Sequence, residues 1–303
     1  MGGSMHTLQA ALLELVRALQ PHGIPVILCG GLGLYLKQLE LQSREKYQSL
    51  VPGEHWPVPR TTQDMDIMIQ TDVLASPSQC AVLRTVLAGL GYEVIQTRRH
   101  FQFVKKQGEF FDVKIDLLTG EMSEARIETE FVIDRKSRIP RARPRGTSVD
   151  LHAWYTPEAI EVNCEDGLRL DLEDGGSDSA TVNIPQALAL LMMKLFALRD
   201  RYMDEDRGLA RHHAMDLYRI LAMMDRDEYY GTQEKIRRRR DAGCEIVAEA
   251  ERFVVELFVK EPRWGWIRIR EHADFRQEMP VEEVVSALVE LFDLKEKATA
   301  VQK

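Results

Sequence analysis

The chain has 303 residues, of which 45% are hydrophobic and 29% are charged, a composition that can bury one large core or two smaller ones. A formal net charge of −8 at pH 7 excludes a surface that is basic throughout, although a local basic patch for nucleic acid remains open. Four scattered cysteines without a CxxC pair exclude a short-spaced zinc motif. With no apolar run long enough for a membrane span, we expect a cytoplasmic protein without a membrane partner.

The first part of the chain combines helices and strands. An amphipathic helix at the amino terminus is followed by "GIPVILCGG", a β-branched strand that ends at Gly30 and Gly31, and then by the helical pattern "LGLYLKQLELQ". A second strand, "DMDIMIQ", precedes a helix expected from about Ser76 to Leu90. The segments "YEVIQT", "FQFVKK" and "FFDVKIDLL" then predict a β-meander with a turn at "QGE".

The second part of the chain becomes helical. Strand-like "EAIEVNC" and "LRLDL" and the turn-rich "EDGGSDS" lead into "IPQALALLMMKLFALRDRYM", "LARHHAMDLYRILAMM", a helical stretch from about Asp227 to Val259, and "VEEVVSALVELFDLKEK". We expect Trp264 and Trp266 in a terminal strand or turn. The pattern predicts an α+β fold, with a sheet-containing catalytic domain at residues 1–184 and a helical domain at residues 185–303.

Two aspartates stand one residue apart in the second strand. Asp64 and Asp66 share a face because side chains two apart on a strand point the same way. Two carboxylates this close repel each other, and a divalent cation such as Mg²⁺ relieves that conflict. Asp112, Lys114 and Asp116 share a face of "FFDVKIDLL" in the same manner.

If the two aspartate-bearing strands are neighbours, their carboxylates converge. Such a group suits two-metal phosphoryl chemistry, in which one ion activates the attacking oxygen and the other holds a triphosphate. The alternative is that these acids face solvent or cap turns. The turn at Gly30 and Gly31, followed by a helix, lets backbone amides approach an anion.

The ordered set "CGGLGLYL", "TTQDMDIMI" and "FDVKIDLL" resembles the nucleotidyltransferase superfamily with the polymerase-β-like fold. Together with "NIPQALALLMMKLFALRDR" and "RHHAMDLYRIL", it is similar more narrowly to the AbiEii/AbiGii toxin-type nucleotidyltransferases of toxin–antitoxin and phage-defence systems. The resemblance spans roughly residues 24–221. It implies a polymerase-β-like sheet with flanking helices, and transfer of a nucleoside monophosphate from an NTP to an acceptor hydroxyl with two Mg²⁺ ions.

The resemblance also implies roles for individual residues. Asp64, Asp66 and Asp116 would bind the metals, and Asp116 would activate the acceptor hydroxyl. The nucleotide-binding residues would be Gly30, Gly31, Lys194, Arg201 and Asp216, with Lys194 at the triphosphate. From the residues alone, Lys194 could instead extend its ammonium group out of the core of an amphipathic helix. The implied partners are an RNA or tRNA acceptor, or a protein, and a cognate antitoxin.

Three features depart from the family's pattern. Leu32 stands where the family usually has Ser or Thr, residues 40–59 contain an expected insertion that could form a lid or a partner surface, and His212 and His213 replace a Lys-Asp pair. We expect the two histidines on a polar helix face, with a pair between His212 and Asp216. These departures keep two alternatives open: a catalytically silent module that binds a nucleotide or a partner, and a nucleotidyltransferase for antibiotics or sugars.

Two runs of basic residues remain. Residues 135–145 contain six Lys and Arg side chains and two prolines that keep the segment extended, so the segment either follows an RNA backbone or is a solvated loop. For "KIRRRR" at residues 235–240, the spacing favours an exposed helix face.

Overall fold

The computed structural model describes residues 2–59, 62, 64–95, 101–107, 111–135, 140–146, 150–162, 167–173, 179–204 and 207–294. The fold is α+β, and the chain divides into two compact units. Unit 1 comprises Met1–Lys37 and Arg60–Gln186, and unit 2 comprises Gln38–Pro59 and Ala187–Lys303. Within the described ranges, no helix combines the length and the apolar character that crossing a membrane requires.

Unit 1 is built on a mixed sheet. Its strands are β1 (Ile27–Cys29), β2 (Asp64–Met68), β3 (Glu93–Val94), β4 (Gln102–Gln107), β5 (Phe111–Thr119), β6 (Phe131–Asp134), β7 (Arg141–Pro144), β8 (Ala153–Tyr155), β9 (Leu168–Glu173) and β10 (Ser179–Ile184). The order is β6-β7-β8-β5-β2-β1-β10-β9, and β4 pairs with both β3 and β5. Strand β5 is therefore the central strand, bonded to β2 and β8 in parallel and to β4 in the antiparallel direction.

One face of this sheet is apolar. Met65, Ile115 and Phe103 lie side by side on β2, β5 and β4 and are all buried. Helix α1 (Gly2–Leu19) packs on β5, β9 and β10, and its buried leucines, among them Leu8, contribute to the same core. Because side chains alternate along a strand, the opposite face receives the aspartates.

Local features of the sequence explain where the helices of unit 1 begin. Helix α2 (Gly30–Ser43) starts directly after β1 and extends past Lys37 into unit 2. After α3 (Thr71–Ala75), the side chain of Ser76 accepts the Gln79 amide and caps α4 (Pro77–Gly89), as its residue type favours. The short helix α5 (Glu124–Thr129) follows β5.

Unit 2 is helical. It contains α6 (Ala187–Arg201), α7 (Arg207–Met223), α8 (Arg226–Asp241), α9 (Glu245–Val254) with a π-helical continuation (Val255–Val259), α10 (Trp264–Arg270) and α11 (Val281–Leu291). Helix α7 packs against α6, α10 and α11, and its central residues, including Met215 and Ile220, are buried.

Residues 38–59, which contain the expected insertion, pack within unit 2. The backbone amides of Leu50 and Val51 donate to the carbonyls of Met224 and Ala222 at the end of α7. Trp56 is buried, and its indole donates to the carbonyl of Val51. We call residues 38–59 the early segment, because it precedes the rest of unit 2 in the chain.

Several predicted elements are confirmed, and others are wrong. The β-meander forms as β3, β4 and β5, although residues 108 and 109 of its predicted turn lie outside the described residues. In "EAIEVNC", residues 158–162 form turns rather than a strand, and residues 163–166 lie outside the described residues. Trp264 and Trp266 belong to helix α10, not to a strand or turn, and β10 was not predicted.

The predicted helical stretch from Asp227 to Val259 is divided between α8 and α9. Gly243, in the left-handed region at φ 75°, ends the first helix because a residue without Cβ adopts this conformation at little cost. The run "KIRRRR" lies on α8 as expected, with Arg237 and Arg238 exposed and Ile236 buried.

Candidate active site

The strand pairing brings the predicted carboxylates together. Strands β2 and β5 are parallel neighbours in a register that sets Asp66 beside Asp116 and Asp64 beside Lys114. Neighbouring residues in register point to the same face of a sheet. Asp64, Asp66 and Asp116 therefore share one face, opposite the buried face that contains Met65 and Ile115. The sequence analysis predicted that these carboxylates converge if their two strands are neighbours, and β2 and β5 are neighbours.

The three aspartates differ in environment. Asp116 is buried at 9% exposure, whereas the Asp64 side chain is nearly half exposed and its Oδ1 lies 3.9 Å from Lys114 Nζ. That Oδ1 atom is shielded from solvent and accepts no hydrogen bond from the described residues. A shielded carboxylate oxygen without a donor is costly unless a cation reaches it.

Gly30 lies directly against Asp66. It is the first residue of α2 and has φ 64°, in the left-handed region that favours glycine. A Cβ at this position would overlap the Asp66 carboxylate. The glycine thus serves two local needs, the sharp turn from β1 into α2 and the close approach of backbone to carboxylate.

The rest of the glycine turn provides backbone rather than side-chain groups. Gly31 is buried in the first turn of α2, where amide groups have no intrahelical partner. Leu32 is fully buried in the core, so the position where the family usually has a hydroxyl offers none here.

Two further residues lie in the same row of the sheet and were not identified from the sequence. Cys29 on β1 is in register with Asp66, and Gln102 on β4 is in register with Asp116. Gln102 lies within the predicted strand "FQFVKK", but the alternation within one strand does not reveal which residue of a neighbouring strand stands beside it.

The aspartates could hold a metal ion only if its other ligands came from phosphate oxygens and waters. No three His, Cys, Asp or Glu side chains in the described part of the chain are grouped so that they alone could hold an ion. Mg²⁺ is commonly held by one or two carboxylates together with substrate phosphate oxygens and waters. The adjacent Asp66 and Asp116, with the Asp64 oxygen described above, match that requirement.

Two predicted residues of the helical part, Lys194 and Asp216, lie in a buried cluster in unit 2. Lys194 Nζ lies 2.9 Å from Asp216 Oδ2, and Arg219 donates to Asp216 Oδ1 over 2.6 Å. Asp216 is fully buried, and the two cations are almost so. The alternative, that Lys194 extends its head group out of the core, is wrong, since that group is held in this buried ion-pair cluster. Arg201 lies in the last turn of α6, 3.7 Å from Asp204.

The histidines of α7 do not form a simple solvated face. His212 Nδ1 lies 2.8 Å from Nε2 of His272, which follows α10, and the two rings meet edge to face. His213 is half-buried. The sequence did not single out His272, because it is about 60 positions away from its partner.

Two concavities of unit 1 lie away from the aspartates. One, of about 310 Å³, lies where β2 and β5 end and is lined by Met68, Thr71, Asp72, Glu121 and Glu161 among others. A second, of about 320 Å³, lies between the end of α1 and the β9–β10 pair and includes Arg169 and Asn183. Neither is lined by Asp64, Asp66 or Asp116.

Comparisons with known proteins give a distant similarity to solved structures. No family model and no curated protein matches the chain. Among solved structures, the chain is similar to the solution structure of antibiotic-resistance factor ANT(2'')-Ia, with a TM-score of 0.38 and 10% identity over 78% of this chain and 94% of that chain. The case for a function therefore rests on the residues of this chain.

Proposed function

We propose that the protein is a Mg²⁺-dependent nucleotidyltransferase, which moves a nucleoside monophosphate from an NTP to an acceptor hydroxyl and releases pyrophosphate. The observation that carries this proposal is the register of β2 and β5, which sets Asp66 beside Asp116 while Gly30 lies against Asp66. Two adjacent carboxylates beside a glycine turn and a helix amino terminus suit an anionic substrate that arrives with its cation.

The roles follow from position and chemistry. The acceptor oxygen forms a bond to the α-phosphorus, and the bond from that phosphorus to the bridging oxygen of the β-phosphate breaks. Asp116 accepts the hydroxyl proton, and Asp64 and Asp66 hold the substrate's cations. Bound Mg²⁺ would neutralise charge on the triphosphate and on the departing pyrophosphate.

The backbone of the glycine turn contacts the phosphates in this proposal. The amide groups of Gly30 and Gly31 at the start of α2 would donate to the phosphates, and the helix dipole favours negative charge there. With Leu32 buried, phosphate binding relies on main-chain donors. The assignment of Lys194, Arg201 and Asp216 to nucleotide binding stays a prediction of the family resemblance.

For the acceptor we favour RNA, with tRNA as the first class to examine, in a toxin–antitoxin or phage-defence setting with a cognate antitoxin. The support comes from the β6–β7 pair, where Arg135, Arg143 and Arg145 are exposed. Arg141, by contrast, is paired with Asp134, and residues 136–139 of the basic segment lie outside the described residues. Exposed arginines on a strand pair can contact a phosphate backbone.

The test is transfer of label from each of the four NTPs, labelled at the α-phosphorus, to total bacterial RNA and protein in the presence of Mg²⁺. Wild type is compared with Asp64→Ala and with Asp112→Ala, an exposed aspartate on the same strand face as Asp116. We expect label with wild type and Asp112→Ala, and none with Asp64→Ala.

The same experiment separates the two alternatives. No label in RNA or protein, but pyrophosphate release with an aminoglycoside or a sugar, would replace the RNA acceptor by a small molecule. Mg²⁺-dependent NTP binding without pyrophosphate release for any acceptor would instead indicate the silent module, for which the buried Leu32 is the observation in favour. Retained transfer in a folded Asp64→Ala, Asp66→Ala variant would refute the metal-binding assignment.

A further inference from the structure

A histidine pair connects two helical elements of unit 2. His212 lies on α7, and His272 follows α10 with a side chain only 8% exposed. Their facing nitrogens, Nδ1 of His212 and Nε2 of His272, are 2.8 Å apart. The backbone amide of Asp274 donates to Nδ1 of His272 over 3.0 Å. Both nitrogens of the buried ring are therefore engaged.

These contacts determine the protonation state of both rings. Because Nδ1 of His272 accepts from an amide, the proton of the neutral ring lies on Nε2 and is donated to His212 Nδ1. Neither accepting nitrogen can take up a proton without facing another N–H group. In this arrangement both imidazoles are neutral. Protonation of His212 breaks the hydrogen bond between the two rings, and protonation of His272 breaks the one from the Asp274 amide.

The charged groups around the pair do not reverse this preference. From α7, Asp216 and Arg219 face His272, and Asp274 Oδ2 lies 3.7 Å from its Nδ1. Burial lowers the pKa of His272 below its ordinary value, and His212 and Arg219 add to that effect, whereas Asp274 and Asp216 oppose it. Nearby, Glu271 is held by Arg268 and Arg211. Burial would raise the pKa of Glu271, but the two arginines lower it, so that carboxylate stays charged at neutral pH.

The residues after His272 hold the early segment. The amide of Phe275 donates to the carbonyl of His272, and the guanidinium of Arg276 donates to the carbonyls of Glu54 and Trp56 over 3.0 and 2.8 Å. The position of Arg276 thus depends on the turn that begins at His272.

We propose that the hydrogen bond between His212 and His272 is an acid-sensitive latch, which holds the early segment through Arg276 at neutral pH and releases it when a histidine of the pair takes up a proton. The sign follows from linkage. Histidines of the released state titrate near their ordinary pKa of about 6.5, above the lowered pKa of the latched state. Below about pH 6.5 the released state therefore binds more protons, and release becomes up to about tenfold more favourable per pH unit for each proton.

The first measurement follows the imidazole nitrogens by NMR as pH is lowered. We expect His272 to be neutral with its proton on Nε2 and to titrate below the ordinary histidine pKa of about 6.5. A His272 that titrates at or above that ordinary value, or that carries its proton on Nδ1, would overturn the proposal.

The second measurement is amide hydrogen exchange of residues 49–56, corrected for the intrinsic effect of pH, at about pH 7.5 and about pH 6, on either side of the ordinary histidine pKa. We expect severalfold faster exchange at the lower pH in the wild type. The double variant His212→Asn, His272→Gln keeps an acceptor and a donor near the same positions but cannot titrate, so its exchange should not respond to pH.

A matched control is His22→Asn, which replaces an exposed histidine of unit 1 and should retain the wild-type response. If the double variant His212→Asn, His272→Gln responds to pH as the wild type does, or if the wild type shows no response, the latch is refuted. Thermal unfolding at about pH 7.5 shows whether each variant is folded. If the double variant is unfolded, the single His212→Asn variant replaces it, and because His272 can still titrate there, we expect a response to pH that is smaller than that of the wild type.

Discussion

The two acidic clusters of this protein use carboxylates in opposite ways. In unit 2, the fully buried Asp216 lies between Lys194 and Arg219, so one negative charge meets two positive charges within hydrogen-bonding distance. In unit 1, Asp66 and Asp116 stand side by side on neighbouring strands, and Asp64 has a shielded oxygen without a donor among the described residues. The first arrangement stabilises a fold, and the second is suited to a cation from outside the chain.

This difference gives a rule for distinguishing structural acids from functional ones. A buried carboxylate that is surrounded by cations loses much stability when it is removed, because the cations are left uncompensated. A carboxylate next to another carboxylate contributes repulsion to the fold, so its removal costs little stability and acts instead on ligand binding. The four substitutions that follow examine this rule from the largest expected effect to the smallest.

Asp216→Asn should destabilise the protein by about 3–5 kcal/mol, because it leaves Lys194 and Arg219 buried beside a neutral amide. Denaturant unfolding measures the change. The control Glu234→Gln removes an exposed partner of Arg237 on α8 and should cost less than about 1 kcal/mol. Equal costs for the two variants would mean that the buried cluster contributes no more than a surface pair.

Asp66→Asn should reduce nucleotidyl transfer at least about a hundredfold, since a metal ligand contributes several kcal/mol to the transition state. Stability should be unchanged or slightly higher, because the repulsion with Asp116 is relieved. Label transfer and denaturant unfolding are measured on the same sample. Large destabilisation without loss of transfer would assign Asp66 to the structural class.

Gly30→Ala should cost roughly 1–2 kcal/mol through the left-handed backbone and should also impair transfer, because the new methyl group displaces the Asp66 carboxylate. Gly231→Ala is the matched control. That residue lies inside α8 with open space around it, and alanine there should stabilise the protein by up to about 1 kcal/mol. If Gly30→Ala behaves like the control, the contact with Asp66 is not tight.

Lys114→Gln should tighten Mg²⁺ binding by a few-fold at most, because Lys114 and Asp64 are both nearly half exposed and 3.9 Å apart, and such pairs contribute less than about 1 kcal/mol. Calorimetric titration of Mg²⁺ in the presence of an NTP gives the affinity. Lys106→Gln, an exposed lysine on β4, is the control. Weaker binding in Lys114→Gln would show that Lys114 assists the nucleotide rather than competing with the metal.

Local patterns in the sequence predicted much of unit 1. The glycine pair after a β-branched run marked the turn from β1 to α2, Ser76 marked the start of α4, and alternation identified the meander of β3 to β5. Strand β10 was missed although its residues "SATVNI" alternate between polar and apolar, because the strand runs directly into the long apolar pattern of a helix. The break between α8 and α9 was missed because Gly243 is a single residue in a long polar helical pattern.

The sequence indicated which types of residue form the candidate site, but it did not indicate how all of them are arranged. Alternation along one strand indicated that Asp64 and Asp66 share a face, yet which residue stands beside Asp66 depends on the register between strands. In unit 2, residues that contact each other are separated by even more positions in the sequence. Residue pairs such as Tyr47 with Met223 and Val58 with Arg219 are separated by 176 and 161 positions, and no local pattern indicates such contacts.

The early segment has a consequence for how the chain folds during synthesis. Its partners at the end of α7 are translated long after it, so at about 5–20 residues per second the segment waits on the order of ten seconds before Met224 emerges. During that time Val51 and Trp56, which are buried in the folded protein, have none of the helices α6 to α11 to pack against. A ribosome-bound chain that ends near residue 184 should therefore present these side chains to chaperones, and continued translation through α7 should remove them from reach.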